Sequence, residues 1–318
     1  QGGTFPFRGP ALVWTMVMCA VVVALVPARY RVVRIAAGLY ALAALAAFIV
    51  PAPVGANITR LGMYAVGPVL LALVPLRRAV LALVLPFAWF WQWSPAFDAI
   101  LRSGHDASTE LSYHQPLLDF VDDVGPPLGR VEVVPTARHW EAAFVALDMP
   151  IARGWERQLD KRFNPVFYES GLTPIEYERW LRTNGVRFVA LPDVPLDDSG
   201  KEEAEIVRSE PSFLDEVWSS AHWRVFEVVD GTGLIDGPAF LAELGVDTAT
   251  LVVVEQRDVL LRVRASAFWV SDPPLCIEPT HDGWILLRDP PTGIVRISLD
   301  ESAVVSRDDP CTDEDSGG

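Results

Sequence analysis

Two stretches of the chain hold the residue types that bind carbohydrate. One is His139-Trp140-Glu141. The other is Arg153-Gly154-Trp155-Glu156-Arg157-Gln158-Leu159-Asp160, followed by Asn164-Pro165-Val166-Phe167-Tyr168. Flat aromatic faces stack on sugar rings, while Arg, His and carboxylates hydrogen-bond hydroxyls. His139, Trp140, Glu141, Arg153, Trp155, Arg157, Asp160 and Tyr168 are therefore candidate ligand-binding residues. The same types also build ion-pair and aromatic networks that bind nothing, and that plainer reading stays open beside the first. Glu132, Glu141 and Asp160 are the carboxylates to test as acid or base groups, although no spacing sets two of them as a glycosidase pair.

A second candidate is the segment Gly55-Ala56-Asn57-Ile58-Thr59-Arg60. Arg60 at a lipid boundary can hold a lipid phosphate, with Asn57 and the positive end of the following helix beside it. A snorkelling interfacial arginine is the plainer account. Asn57-Ile58-Thr59 also fits a glycosylation sequon.

Other chemistries find little support. The five histidines, at 105, 114, 139, 222 and 281, form no HExxH pattern. No CxxC or zinc-spaced Cys/His set, phosphate-cradling glycine loop or nucleophile elbow occurs, and no cofactor is expected. Cys19 lies in an apolar run. Cys276 and Cys311 fall in the polar part, where they either form one disulfide or stay free.

The charge distribution divides the chain sharply. Residues 1–97 carry seven arginines, no lysine and no acidic residue, so they stand at +7, and the rest at −22. Four apolar runs, 11–27, 31–50 (apolar from 35), 61–76 and 79–97, read as membrane-spanning helices, several of them slightly short of the usual length of about 20 residues. Arg29, Arg31, Arg34, Arg77 and Arg78 place their loops in the cytoplasm and everything from about residue 98 outside. The cluster Trp89-Phe90-Trp91-Gln92-Trp93 then suits an interfacial aromatic belt. The chain begins at Gln1, and the expectation is that a preceding portion belongs to it. An outer part at −22 disfavours nucleic acid as a partner.

The expected fold class is thus a membrane α-helical bundle of four spans, with an extracytoplasmic α/β unit at 98–230 and a β-rich, sandwich-like module at 231–307. A disordered acidic tail at 308–318 follows. Helices are predicted over 115–124, with Pro116 in the first turn, over 137–147, after the capping box Thr173-Pro174-Ile175-Glu176, and over 237–244, capped by Asp236. Strands are predicted at 130–134, 186–191, 223–229, 249–254, 258–264, 267–270, 275–278, 284–288 and 294–299, with Asp282-Gly283 turning a hairpin.

Several segments carry a family resemblance. They are Gly55 to Leu61, Val131-Glu132-Val133-Val134-Pro135 with His139-Trp140-Glu141, Arg153 to Asp160, Trp180-Leu181 to Val189-Ala190-Leu191-Pro192-Asp193, and Ser220-Ala221-His222-Trp223-Arg224. Together, over about residues 55–290, they resemble a group of large actinobacterial integral membrane proteins. That group is classed with GT-C-type glycosyltransferases or with membrane proteins related to 6-pyruvoyl-tetrahydropterin synthase. The resemblance implies sugar transfer from a polyprenyl-phosphate donor to an envelope glycan. The catalytic carboxylate of such enzymes lies in a first outer loop that has no counterpart here, so no catalytic residue is carried over. The alternative is a non-catalytic envelope protein whose outer domain binds a protein or polymer partner; a transporter subunit ranks third.

Overall fold

The computed structural model describes residues 7, 9–50, 54–74, isolated positions between 86 and 104, 106–125, 129–169, 171–300 and Cys311. The chain divides into two compact units, Gln1–Asp106 with Trp155–Pro165, and Ala107–Gly154 with Val166–Gly318.

The first unit contains helices α1 (Gly9–Leu25), α2 (Arg31–Ile49) and α3 (Thr59–Leu73). Val22, Val26 and Val66 form their common core, with Met18, Val33 and Ala37 packed against it. The expected bundle of four spans is not what forms. Among the described residues one stretch, Ala28–Ile49 at 22 residues, is long and apolar enough to cross a membrane. α1 has 17 residues and α3 has 15. At about 1.5 Å per residue both fall short of a hydrocarbon core of about 30 Å. Pro27 follows the last turn of α1 closely and interrupts the apolar run there. The run at 79–97, with its tryptophan cluster, lies outside the described residues except at isolated positions.

The 22-residue stretch is compatible with membrane association. Only 6% of its apolar window is buried, and Val32, Ile35, Leu39, Leu42 and Ile49 stand exposed. An apolar surface of this kind suits lipid better than water.

The second unit opens with a mixed four-stranded sheet in the order β1-β2-β4-β3. Its strands are β1 (Arg130–Val133), β2 (Val186–Pro192), β3 (Leu214–Ser219) and β4 (Trp223–Val228), with β1 and β2 parallel. β2 is apolar nearly throughout because it is covered on both faces. Phe188 and Ala190 point to a core built with α4 (Leu111–Val124) through Tyr113, Leu117, Leu118 and Val121. Val189 and Leu191 point to the opposite core. There α7 (Pro174–Thr183) supplies Tyr177, Trp180 and Leu181, and α8 (Lys201–Arg208) supplies Ala204, Ile206 and Val207. The capping box at Thr173 and Glu176 is formed reciprocally.

Two of the predicted helices differ. α4 begins four residues early, at Leu111, so Pro116 lies inside it rather than in its first turn. The helix expected over 137–147 shrinks to α5 (Glu141–Phe144), because Thr136 is bridged to Leu196 and the residues after it turn, with His139 at positive φ. α6 (Arg157–Phe163) belongs to the first unit.

The rest of the second unit is a sandwich of two four-stranded sheets. Their orders are β10-β11-β8-β5 and β6-β7-β12-β9. The strands are β5 (Ile235–Asp236), β6 (Ala239–Leu244), β7 (Thr248–Val253), β8 (Val259–Arg264), β9 (Trp269–Asp272), β10 (Ile277–Pro279), β11 (Trp284–Leu287) and β12 (Gly293–Leu299). Ala249, Leu251, Val295 and Ile297 of one sheet meet Val259, Leu261, Ile285 and Leu287 of the other. The helix predicted over 237–244 is instead strand β6, paired along β7. Ala-Phe-Leu-Ala-Glu-Leu favours helix locally, but six residues are too few to hold one alone, and the open edge of β7 satisfies their backbone. Gly283, at φ +77°, turns the β10–β11 hairpin. The acidic tail lies outside the described residues except for Cys311, which is disulfide-bonded to Cys276.

Candidate functional site

Parallel β1 and β2 end side by side, and antiparallel β4 begins there, with Trp223 opposite Pro192. The loops after β1, after β2 and between β3 and β4 therefore gather at one end of the sheet. Backbone bonds lock them together. The Ala137 amide donates to Pro195, Asp197 to Pro135, and Asp193 to His222. Ligands of open α/β sheets commonly bind outside the carboxyl ends of parallel strands.

His139 is held in this cluster at φ +56°, a backbone region sparsely used by histidine. Its Nδ1 lies 3.3 Å from Glu141 Oε1 and its Nε2 lies 3.7 Å from Asp197 Oδ2. Glu141 is buried and also accepts from the Thr136 hydroxyl at 2.6 Å. Burial works against a charged imidazole here, but the two carboxylates outweigh it and raise the His139 pKa to about 9. At neutral pH His139 is an imidazolium with both ring nitrogens engaged. It is a clamp between two loops, and it has no lone pair left for a metal or a proton.

A second histidine in the same cluster is open. His222 Nδ1 lies 2.8 Å from Asp193 Oδ2, and both side chains are about half exposed, at 51% and 50%. The buried Tyr113 hydroxyl donates to the other oxygen of Asp193 at 2.9 Å. The His222 ring is thus held through Nδ1 by Asp193 and remains half open to solvent.

An aromatic ladder connects the two histidine regions. Trp140, 42% exposed, stacks on Phe144 at 5.4 Å between ring centroids. Phe144 lies 5.1 Å from His114, His114 lies 5.3 Å from Tyr113, and Tyr113 lies 5.3 Å from His222. Trp223 backs the ladder and donates its indole N–H to the Tyr113 carbonyl. His114 is fully buried with Nε2 on the Ser108 carbonyl, and burial depresses its pKa, so it sits there as neutral imidazole. The ladder has a buried middle and two exposed ends, Trp140 and His222.

The other sequence-predicted residues are placed elsewhere. Arg153 is buried with Glu203 at 3.0 Å, Glu132 at 3.7 Å and the Ser199 hydroxyl at 3.0 Å, and its guanidinium lies over the Phe167 ring. Tyr177 donates to Glu203 at 2.8 Å, and burial, followed by Glu203 and Glu132, pushes its phenol well above the usual range. This network fixes β1, α7 and α8 to one another and leaves Arg153 and Glu132 inaccessible. Tyr168 packs half-buried against the same core.

In the first unit, Trp155 is 65% exposed, Arg157 starts α6, and the buried Asp160 accepts from Asn164 at 2.8 Å. Also in that unit, the Asn57 amide donates to Val54, and Arg60 is exposed in the first turn of α3. Beside them a cavity of about 150 Å³ is lined by Trp14, Thr15, Tyr40, Thr59, Gly62 and Met63.

Among the described residues one trio of metal-ligand types converges, Cys276, Glu278 and Cys311, and its two sulfurs are consumed by the disulfide. Tyr113, Asp193, Asp197 and His222 were not singled out from spacing, because 80 residues separate Tyr113 from Asp193 and 29 more separate Asp193 from His222. No protein-family model, curated protein or solved structure matches this chain.

Proposed function

We propose that this chain is a membrane-associated binding protein whose second unit recognises a polyhydroxylated envelope polymer at the carboxyl end of β1 and β2. The observation that carries the reading is the aromatic ladder with Trp140 and the His222–Asp193 pair as its exposed ends. An exposed indole face offers a stacking platform, and a half-exposed imidazole beside a half-exposed carboxylate offers polar groups that can hydrogen-bond hydroxyls. Near this end of the sheet the buried Arg153 is paired with Glu132 and Glu203, and the buried Glu141 with His139, which suits a rigid binding platform.

Placement of this unit outside the cytoplasm is part of the proposal. The Cys276–Cys311 disulfide supports it, because such bonds persist in oxidising compartments. Ala28–Ile49 then serves as the membrane attachment.

Sugar transfer from a polyprenyl-phosphate donor, which the family resemblance implies, is the competing outcome of one experiment. Native mass spectrometry of the protein extracted gently from its own membrane reads the bound species directly. A co-purifying glycan supports polymer recognition. A polyprenyl-phosphate sugar, turned over on adding an acceptor, replaces it with a transferase. A protein partner with no glycan contradicts the proposed ligand class.

A further inference from the structure

At the opposite end of the sheet, three arginines meet where the α/β layer joins the sandwich. Arg130 opens β1, and Arg262 and Arg264 lie on β8. The joint is tight. Gly185, at φ +64°, is so close to Gly233 that a Cβ would lie 2.2 Å from its carbonyl oxygen. Arg130 donates from Nη1 to the Asn184 carbonyl and from Nη2 to the Arg262 carbonyl. Its guanidinium also faces the Trp284 ring at 5.2 Å, so its partners among the described residues are all uncharged. Arg264 lies over the same indole at 4.0 Å and donates to the Asp282 carbonyl. The buried Arg262 donates to the Gly233 carbonyl, with Asp236 3.4 Å away and 66% exposed.

Charge and hydrogen bonding are both out of balance here. Three guanidiniums converge, and Asp236 and Asp282, which face Arg262 and Arg264, are on the solvent side. Burial brings the Arg130 pKa down to about 10, and the charges of Arg264 and Arg262 add to the shift. Trp284 is 4% exposed, and its Nε1–H has no hydrogen-bond partner among the described residues. A buried donor without an acceptor is destabilising. One acceptor-only anion relieves both defects.

We infer that Arg130, Arg262, Arg264 and the Trp284 indole N–H form a binding site for a phosphate or sulfate group. Arginine suits it through planar, bidentate recognition of such oxyanions. The inference is independent of the sheet-end reading, since it uses other residues at the other end of β1.

The test is a titration of the intact protein in detergent with inorganic phosphate, sulfate and glucose 1-phosphate, against chloride at equal ionic strength. Calorimetry measures affinity, and ¹⁵N NMR follows the Trp284 indole resonance, assigned with Trp284→Phe. Saturable binding that moves this resonance downfield is expected, weakened roughly tenfold or more in Arg264→Gln. Tighter binding of the sugar phosphate identifies an anionic saccharide as the source, and equal binding a free anion. No saturable shift in the wild-type protein overturns the site, whether or not the variant folds. So does an Arg264→Gln protein that folds and binds as tightly as wild type.

Discussion

The Nε2 of His139 lies 3.7 Å from Oδ2 of Asp197, and this ion pair joins the loop after β1 to the loop after β2. Glu141 holds the other face of the ring. The two parallel strands thus end in a crosslink made by one imidazolium; Trp140 and Asp193 are carried by the loops it ties, and His222 reaches Asp193 from the β3–β4 loop.

The crosslink gives stability a specific pH dependence. The His139 pKa is raised to about 9, above the value of about 6.5 expected when unfolded. Its contribution is therefore complete below about pH 6.5 and is lost as pH rises through about 9. Urea unfolding from pH 6 to pH 10 should show wild-type stability falling over that window. His139→Asn removes the charge, and asparagine tolerates the positive φ. Its curve should be lower at pH 6 and flatter through pH 9; identical slopes in the two proteins would remove the clamp from the account.

Arg153 is predicted to matter for folding and not for recognition. It is enclosed with Glu132 and Glu203, so Arg153→Met leaves two buried carboxylates without their cation. Breaking a buried ion pair on one side costs about 3–5 kcal/mol. Thermal unfolding should register that loss, while the fraction that remains folded binds ligand with unchanged affinity. A variant of full stability and abolished binding would return Arg153 to the ligand site.

Cysteine chemistry checks the compartment. Protein from its native membrane, denatured and alkylated without reductant, should be labelled at Cys19 alone, because Cys276 and Cys311 are paired. Mass spectrometry reads the sites. Labelling at all three would argue against the extracytoplasmic placement.

Much of the second unit was legible because its signals are local. Thr173 and Glu176 lie three residues apart and announce α7; Asp282-Gly283 announces a hairpin; β2 reads as an unbroken apolar strand. The helix expected at 237–244 became β6 because pairing with β7 is a nonlocal term that overrides short-range propensity. The four-span reading rested on apolar composition, while helix length is limited where Pro27 interrupts the first run. His139, Trp140 and Glu141 were visible as residue types, but the roles were not. Asp197 turns His139 into a clamp from 58 positions away, and Asp193 and Tyr113 orient His222 across the sheet. Arg153 has the right chemistry for a sugar, yet it is buried in the network of β1, α7 and α8.

The central claim, recognition of a polyhydroxylated polymer between Trp140 and His222, is tested most directly by calorimetric titration of cell-envelope glycan into the wild-type protein and into Trp140→Ala and His222→Ala. Trp155→Ala serves as the exposed-tryptophan control. Loss of one aromatic stacking platform is worth about 1–3 kcal/mol, so Trp140→Ala should weaken binding roughly fivefold or more, and the control should not. Glycan affinity unchanged in both Trp140→Ala and His222→Ala, or no glycan binding by the wild-type protein, would contradict the account.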